Sequence, residues 1–289
     1  MSIQRRIFVS GTINEKWITP EQKAMTDYIL GKIKQEGYTL EQFFKSGDST
    51  DITWSFDNVE KIMRKCVGCI VIAFPRWMIQ KDCISSEYIN YEGAVANAFN
   101  IPLLILSDSR ILSRGILSQA GGKYIFPIAE NANLEWLDKS DFHIQFDRWI
   151  STLKKYNDIF FGYCGQATSP ATSIYRFLTG DLNVRVHDWQ IDNKSGRTIL
   201  EEIESALYQC AGGIFLFTKD DQDAPRDNVV LETGMFIQAK GKEKVLIIRE
   251  TGAKVPADLG GVIYLDLPDR NNTAQIETGI RRFIERNFS

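Results

Sequence analysis

The sequence predicts an α/β fold that is built twice along the chain. Short apolar runs rich in β-branched residues alternate with helical stretches in both halves, and this alternation is typical of βαβ units that form a parallel sheet. The 289 residues also suffice for two hydrophobic cores of ordinary size. We therefore expect two tandem domains with parallel sheets, near 1–153 and 158–289, joined by a short segment.

The apolar runs give the positions of the expected strands. In the first half these are residues 7–10, 69–74 and 103–106. In the second half they are residues 159–163, 184–186, 213–218 and 244–248, followed by a late short strand at 262–265.

The two halves also resemble each other in sequence. Residues 59–74, VEKIMRKCVGCIVIAF, parallel residues 203–218, IESALYQCAGGIFLFT, so that Cys66 matches Cys210. Both stretches predict a helix, a Cys-x-Gly turn and a buried strand. YINYEGAVA at 88–96 and NVVLETGMF at 228–236 then each precede a strand, which places Glu92 opposite Glu232. We interpret the chain as two copies of one fold, although any two domains of this class share such features.

Composition and residue spacing argue against several classes of function. The net charge of −3 and the scattered basic residues argue against nucleic acid as a partner. The chain has neither a signal peptide nor a run long and apolar enough to cross a membrane, so we expect a cytosolic protein. Cys66 and Cys69 have metal-like spacing, but further ligands do not follow, and we expect no metal site. The histidines, His143 and His187, lie near no nucleophile motif.

Three loops of the second half should converge at one end of its sheet, because ligands of open parallel sheets bind beyond the carboxyl ends of the strands. The first, YCGQATSP at 163–170, contains Tyr163 and Cys164 and opens a helix whose free N–H groups could receive a phosphate. The second, HDWQIDNKSG at 187–196, offers Trp189 for stacking on an aromatic base. The third, KDDQDAPRDN at 219–228, contains Asp220, a turn residue that could also touch ribose.

The third loop leads into a helix that carries Glu232. Asn228 lies four residues earlier and should share its face, and Arg226 lies just before the helix begins. The flanking apolar residues predict a largely buried helix, where an unpaired carboxylate would be costly; these residues are Val229, Val230, Leu231, Met235 and Phe236. A carboxylate in such an environment usually has a functional role.

The same region carries a resemblance to a known family. The run APRDNVVLETGMFIQAKG at 224–241, with KVLII at 244–248, VPADLGGV at 255–262 and YLD at 264–266, resembles the bacterial TIR-like nucleotide-binding family, which includes effectors of the CBASS and Pycsar antiphage systems. That family typically shows a Pro-Arg-x-Asn-Val-x-x-Glu-x-Gly block and a Trp in the second loop, here Trp189. The resemblance covers about 130 residues in several separated blocks, which makes it specific.

The resemblance implies a flavodoxin-like or Rossmann-like fold, NAD glycohydrolase activity, and Glu232 as the catalytic residue. NAD would be the substrate, without a further cofactor. We expect Tyr163, Cys164, Trp189, Asp220, Arg226 and Asn228 to bind it. The sequence departs from the family at Thr233, where Leu is frequent, and at 163–165, where Gly-Ser-Ser is more usual.

The first half lacks the Pro-Arg-x-Asn block before Glu92. The resemblance implies that it senses a nucleotide second messenger or assembles the protein, with activity gained on homo-oligomerisation. An alternative is an active nucleoside-processing domain that uses Glu92, similar to nucleoside deoxyribosyltransferases. Two alternatives also remain for the second half: a non-catalytic adaptor that binds nucleotide, and a synthase that converts NAD into a cyclised ADP-ribose messenger.

Overall fold

The computed structural model describes residues 3–11, 17–43, 54–80, 82–188, 198–220, 223–259 and 261–288. The chain divides into two compact units. We call Arg5–Lys154 the N unit, and Lys155–Ser289 together with Met1–Gln4 the C unit.

The N unit is built on a five-stranded parallel sheet with strand order β2-β1-β3-β6-β7. Its strands are β1 Arg6–Gly11, β2 Thr39–Glu41, β3 Cys66–Ala73, β6 Leu103–Asp108 and β7 Ile125–Ile128, and β4 Trp77–Ile79 pairs with β5 Asp82–Ile84 in a separate antiparallel hairpin. The helices are α1 Pro20–Gln35, α2 Phe56–Met63, α3 Glu87–Ala98, α4 Leu134–Lys139 and α5 Phe142–Lys154.

The C unit has its own five-stranded parallel sheet, with strand order β12-β11-β10-β8-β9. The strands are β8 Asn157–Tyr163, β9 Val186–Asp188, β10 Cys210–Phe217, β11 Val245–Glu250 and β12 Ile263–Leu267. The helices are α6 Thr168–Arg176, continued by a π-helical turn at Phe177–Asp181, α7 Ile199–Gln209, α8 Asp227–Lys240 and α9 Ala274–Phe288.

The two sheets have the same strand order, which confirms the predicted fold class of two α/β units with parallel sheets. In each unit the first strand lies between the second and the third, and the later strands continue on the other side of the third. Cys66 and Cys210 each begin the central strand of their sheet. The predicted turn at these cysteines is therefore wrong: the helices end at Met63 and Gln209, and the Cys-x-Gly segments already pair with neighbouring strands.

Some strands differ from the sequence prediction for identifiable reasons. Strands β2 and β7 and the β4–β5 hairpin were not predicted, because three or four residues are too few to show a periodicity. The second strand of the C unit begins at Val186 and not at Val184. The Val184 amide instead donates to the Leu178 carbonyl at 2.9 Å, which ties this residue to the preceding helical turn.

An aromatic layer attaches helix α8 to the sheet of the C unit. The ring of Phe236 stacks on Phe160 at 4.8 Å between centroids and meets Phe215 edge-on at 5.5 Å. Phe236 and Phe215 are fully buried, and Phe160 nearly so. Since aromatic pairs in these geometries add to the free energy gained by burial, this layer fixes the helix that carries Glu232.

No helix among the described residues is both long and apolar enough to span a membrane. Nor do the described ranges contain a group of three or more His, Cys, Asp or Glu side chains arranged to hold a metal ion. The cysteines are buried thiols.

Candidate functional site

Glu232 is a buried carboxyl group on helix α8. The helix begins at Asp227, directly after the N-cap residue Arg226, and Glu232 is its sixth residue. Only 3% of Glu232 is exposed, and its Oε2 atom has no hydrogen-bond partner among the described residues. Burial raises the pKa of this carboxyl from its ordinary value of 4.5 to about 7, because a charge is poorly solvated there.

Strand β8 makes room for this carboxyl group at Gly162, which has no side chain. A Cβ atom on Gly162 would lie 2.8 Å from Glu232 Oε2 and 2.7 Å from Phe215 Cδ1. Any side chain at this position would therefore collide with both groups. Gly162 is the second-last residue of β8, so Glu232 lies close to the carboxyl end of the strand, where parallel sheets bind ligands.

Tyr163 and Cys164 follow Gly162 and are held by neighbouring loops. The Tyr163 hydroxyl lies 3.0 and 3.1 Å from the two carboxylate oxygens of Asp188, at the end of β9. Burial and this carboxylate together raise the pKa of Tyr163 above its ordinary value. The Cys164 Sγ lies 3.7 Å from Thr218 Oγ1, just after β10. The ends of three adjacent strands are thus linked by polar side chains.

Asp220 joins the same set of polar groups. The Thr218 hydroxyl lies 2.8 Å from both carboxylate oxygens of Asp220 and donates a hydrogen bond to this carboxylate. The thiol of Cys164 is then the donor to Thr218, and burial raises the pKa of this thiol. Arg270 Nη2 lies 3.9 Å from Asp220 and 3.2 Å from Glu250. Asp220 therefore also has structural contacts within the C unit.

The remaining predicted binding residues are placed differently from Glu232. Arg226 and Asn228 are exposed at the start of α8, whereas Glu232 is buried. Asn228 lies in the first turn, and a spacing of four residues fixes the angle around the helix but not the depth of burial. Trp189 lies outside the described residues, as does the whole segment 189–197.

The prediction that α8 is largely buried is wrong at Leu231, which is 54% exposed. The buried stripe consists of Val229, Glu232, Thr233 and Phe236. These positions recur at the spacing of one helix face, so a single face packs against the sheet. Glu232 belongs to this packed face, so its carboxyl group lies between the helix and the sheet, where charged side chains are rarely found.

Glu92 is the corresponding carboxyl group of the N unit. It is the sixth residue of α3, as Glu232 is of α8, and it is 6% exposed. Its oxygens accept hydrogen bonds from Ser10 Oγ at 2.5 Å and from Trp54 Nε1 at 2.9 Å. Burial raises the pKa of Glu92, and the two hydrogen bonds oppose that rise. Each oxygen of Glu92 therefore has a donor.

Sequence reasoning did not single out three residues that shape the site: Gly162, Asp188 and Thr218. Asp188 was visible in the second loop as an acid two residues after the predicted strand 184–186. Gly162 could have been found by extending the repeat alignment back to the first strand of each half. In that alignment Ser10 of the first half corresponds to Gly162 of the second half.

Comparison with known proteins assigns this half of the chain to a family. Residues 158–269 match the model of the family described as "CAP12/Pycsar effector protein, TIR domain". The C unit contains a TIR domain. The resemblance noted in the sequence is thereby confirmed, and the match includes Gly162, Tyr163 and Glu232.

Individual relatives of this TIR domain are found in several bacteria. The chain is 43% identical over 58 residues to CD-NTase-associated protein 12 of Flavobacterium daejeonense, covering 17% of this chain and 19% of that protein. It is 32% identical over 115 residues to the Pycsar effector protein BcPycTIR of Burkholderia cepacia, covering 36% of each. A third relative is the uncharacterized protein YuaY of Escherichia coli, 34% identical over 83 residues, with 25% of this chain and 28% of that protein covered. These matches span about a fifth to a third of the relatives' length.

Replacing Glu232 with glutamine should change how the stability of the protein depends on pH. The folded protein binds the Glu232 proton more tightly than the unfolded chain, since the pKa is about 7 when folded and 4.5 ordinarily. The stability contributed by this proton is complete below pH 4.5 and is lost as pH rises through 7. Glutamine has no such proton. The free energy of unfolding of the variant, measured relative to that of the parent, should therefore rise by on the order of 3 kcal/mol as the pH goes from below 4.5 to above 7. Thermal unfolding of both proteins at about pH 5 and about pH 8.5 measures this, and an unchanged difference would contradict it.

Proposed function

We propose that the TIR domain cleaves the bond between nicotinamide and ribose in NAD, and that Glu232 is its catalytic carboxylate. The observation that carries this proposal is a buried carboxyl group, with an oxygen that has no donor, at the ligand-binding end of a parallel sheet. Leaving such a group unpaired costs stability. Raised carboxyl pKa values of this kind cluster at functional sites.

The chemistry matches the groups that the domain offers. Nicotinamide in NAD is a cationic pyridinium, so it leaves with the bonding electron pair as a neutral molecule and needs no acid to protonate it. The ribose carbon left behind has oxocarbenium character, which an ionised Glu232 would stabilise electrostatically. Water then adds to that carbon and loses a proton, giving ADP-ribose. Histidine is not required for either step.

The neighbouring residues suit the rest of the substrate. Arg226, which is exposed at the start of α8, is proposed to bind a phosphate of NAD, since guanidinium groups bind phosphate oxygens in pairs of hydrogen bonds. Asn228 is exposed in the same turn and could bind a ribose hydroxyl. Tyr163, Cys164 and Asp220 lie at or just after the carboxyl ends of β8 and β10, and we propose that they contact the rest of the substrate. Trp189 is proposed to stack on a base.

We further propose that the whole protein is an antiphage effector whose NAD cleavage is switched on by a nucleotide signal, by self-association or by both. Support comes from the relatives described as CD-NTase-associated and as a Pycsar effector. An enzyme that destroys NAD without control would exhaust its own cell, so the resting state must be nearly silent. The N unit, which has the same strand order but a differently held carboxyl group, would supply the sensing or the assembly.

One incubation tests the proposal. The purified full chain is mixed with NAD across a dilution series, with and without candidate nucleotide signals, and the products are separated by chromatography. Release of nicotinamide and ADP-ribose supports hydrolysis, whereas a cyclised product would identify a synthase. Activity that disappears on dilution supports control by assembly. Absence of cleavage with every signal and at every concentration would favour a non-catalytic adaptor.

The cleavage rate should rise with pH through about 7. Glu232 can stabilise a positive charge only when it is ionised, and its pKa of about 7 means that a large fraction is protonated at lower pH. Each pH unit below 7 should then lower the rate about tenfold, with a plateau above about pH 8. Initial rates of nicotinamide release at NAD concentrations well below KM measure this profile, because kcat/KM reports the ionisation of the free protein. A rate that is constant from about pH 5 to 8 would contradict the role assigned to this carboxyl.

A further inference from the structure

The first strands of the two units differ at one position that faces the helix carboxyl group. When the units are aligned on Cys66 and Cys210, Ser10 and Gly162 occupy the same place. Ser10 pairs with Val71 and Gly162 pairs with Phe215, and both partners lie five residues after the aligned cysteines. Glu92 and Glu232 are each the sixth residue of the helix that follows the central strand. The same carboxyl thus faces a hydroxyl in one unit and a bare backbone in the other.

We propose that Gly162 is the positioning residue that keeps Glu232 Oε2 without a hydrogen-bond donor, and that Ser10 at the same place in the N unit supplies that donor to Glu92. This inference rests on the proposed function for the role of Glu232. It assigns the difference between the two units to one strand position and not to the helix carboxyl, which both units retain.

The contacts in each unit support this assignment. Ser10 is fully buried, and its hydroxyl donates to Glu92 Oε2 at 2.5 Å. Trp54 donates to the other oxygen, and its ring packs on Tyr88 with centroids 4.5 Å apart, which holds the indole in place. In the C unit, a Cβ atom on Gly162 would lie 2.8 Å from Glu232 Oε2, so a hydroxyl added to it could reach that oxygen.

A donor on this oxygen would weaken a carboxylate that has to face a cation. A hydrogen bond from Ser or Trp stabilises the ionised form and takes up a lone pair, so less of the negative charge is available to the ribose carbon. A carboxylate oxygen without a fixed donor keeps its lone pairs and its share of the negative charge available to stabilise the ribose carbon. Glycine supplies this state because it cannot donate from a side chain.

The alternative is that Gly162 is needed only for packing, because a Cβ atom would also lie 2.7 Å from Phe215 Cδ1. The pair Gly162→Ala and Gly162→Ser separates the two explanations. Both variants add the same Cβ atom and the same clash, but only serine adds a hydroxyl that can reach Glu232. A packing role alone predicts that the two variants behave alike.

The experiment uses the full chain with ¹³C-labelled glutamate, and NMR follows each carboxyl carbon as the pH is changed. Glu232→Gln and Glu92→Gln identify the two signals. In Gly162→Ser the Glu232 midpoint should lie about one pH unit below that in Gly162→Ala, because only serine stabilises the ionised form. NAD cleavage at about pH 8.5, where the carboxyl is ionised, should be about tenfold slower for serine than for alanine. Equal midpoints in the two variants would overturn the inference.

The N unit provides the reciprocal test and a safeguard if both Gly162 variants fail to fold. Ser10→Ala removes the hydroxyl and should raise the Glu92 midpoint, with NAD cleavage unchanged; a Glu92 midpoint that does not move would overturn the inference. If instead the Glu232 midpoint moves as expected but the serine and alanine variants cleave NAD equally fast, the hydrogen-bond assignment stands and the catalytic role of Glu232 fails. The two proposals can therefore be rejected separately.

Discussion

Replacing Glu232 with glutamine is expected to lower the rate of NAD cleavage by about a hundredfold or more, while the fold and nucleotide binding persist. Glutamine has nearly the same size and shape, so the packing of α8 through Val229 and Phe236 should remain. It carries no negative charge, and so cannot stabilise the positive charge that develops on the ribose carbon. Because Glu232 Oε2 has no donor to lose, the substitution breaks no hydrogen bond at that atom.

Glu92→Gln is the matched control for this experiment. Glu92 stands at the same helix position in the N unit, but its oxygens accept hydrogen bonds from Ser10 and Trp54. Its substitution should leave most of the cleavage intact. Nicotinamide release is followed for the parent and both variants under activating conditions, and thermal melts show that each protein is folded. If Glu232→Gln cleaves NAD near the parent rate, or if Glu92→Gln is the inactive variant, the chemistry does not belong to the C unit as proposed.

The repeated α/β architecture with parallel sheets was predictable because it depends on patterns that survive in a single sequence. Long apolar strands such as β3 and β10 have every residue or nearly every residue buried, and continuous apolar runs of this kind indicate central parallel strands. The start of the helix that carries Glu232 was also located correctly, with Arg226 just before it. These features are local, so the order of residues is enough to find them.

The environment of each side chain was not predictable, because it is set by residues distant in sequence. Nothing near Glu232 in the chain shows that Gly162 faces it, seventy residues earlier. Leu231 appears as apolar as Val229, yet only Val229 faces the sheet. Tyr163 was expected to bind substrate, and only the structure shows that its hydroxyl is held by Asp188.

Replacing Phe236 with alanine is expected to destabilise the C unit by about 3–5 kcal/mol, the usual cost of removing a buried phenyl ring. Phe236 is fully buried one turn beyond Glu232, stacked on Phe160 and edge-on to Phe215. The cavity would open between α8 and strands β8 and β10, which carry Phe160 and Phe215. Leu231→Ala is the control on the same helix: its side chain is exposed, so the change should be within about 0.5 kcal/mol.

Amide hydrogen exchange measures this effect in the C unit alone, which matters because a chain of two units need not unfold in one step. Amides of β10 and β11 should exchange faster in Phe236→Ala by at least a hundredfold, which corresponds to about 3 kcal/mol, and amides of β3 should be unchanged. The same variant should lose NAD cleavage even under conditions where it remains folded, because the ring holds the helix that aims Glu232 past Gly162. If exchange in β10 and β11 accelerates equally little in Phe236→Ala and Leu231→Ala, the aromatic layer does not fix α8, and the placement of Glu232 would then need another cause.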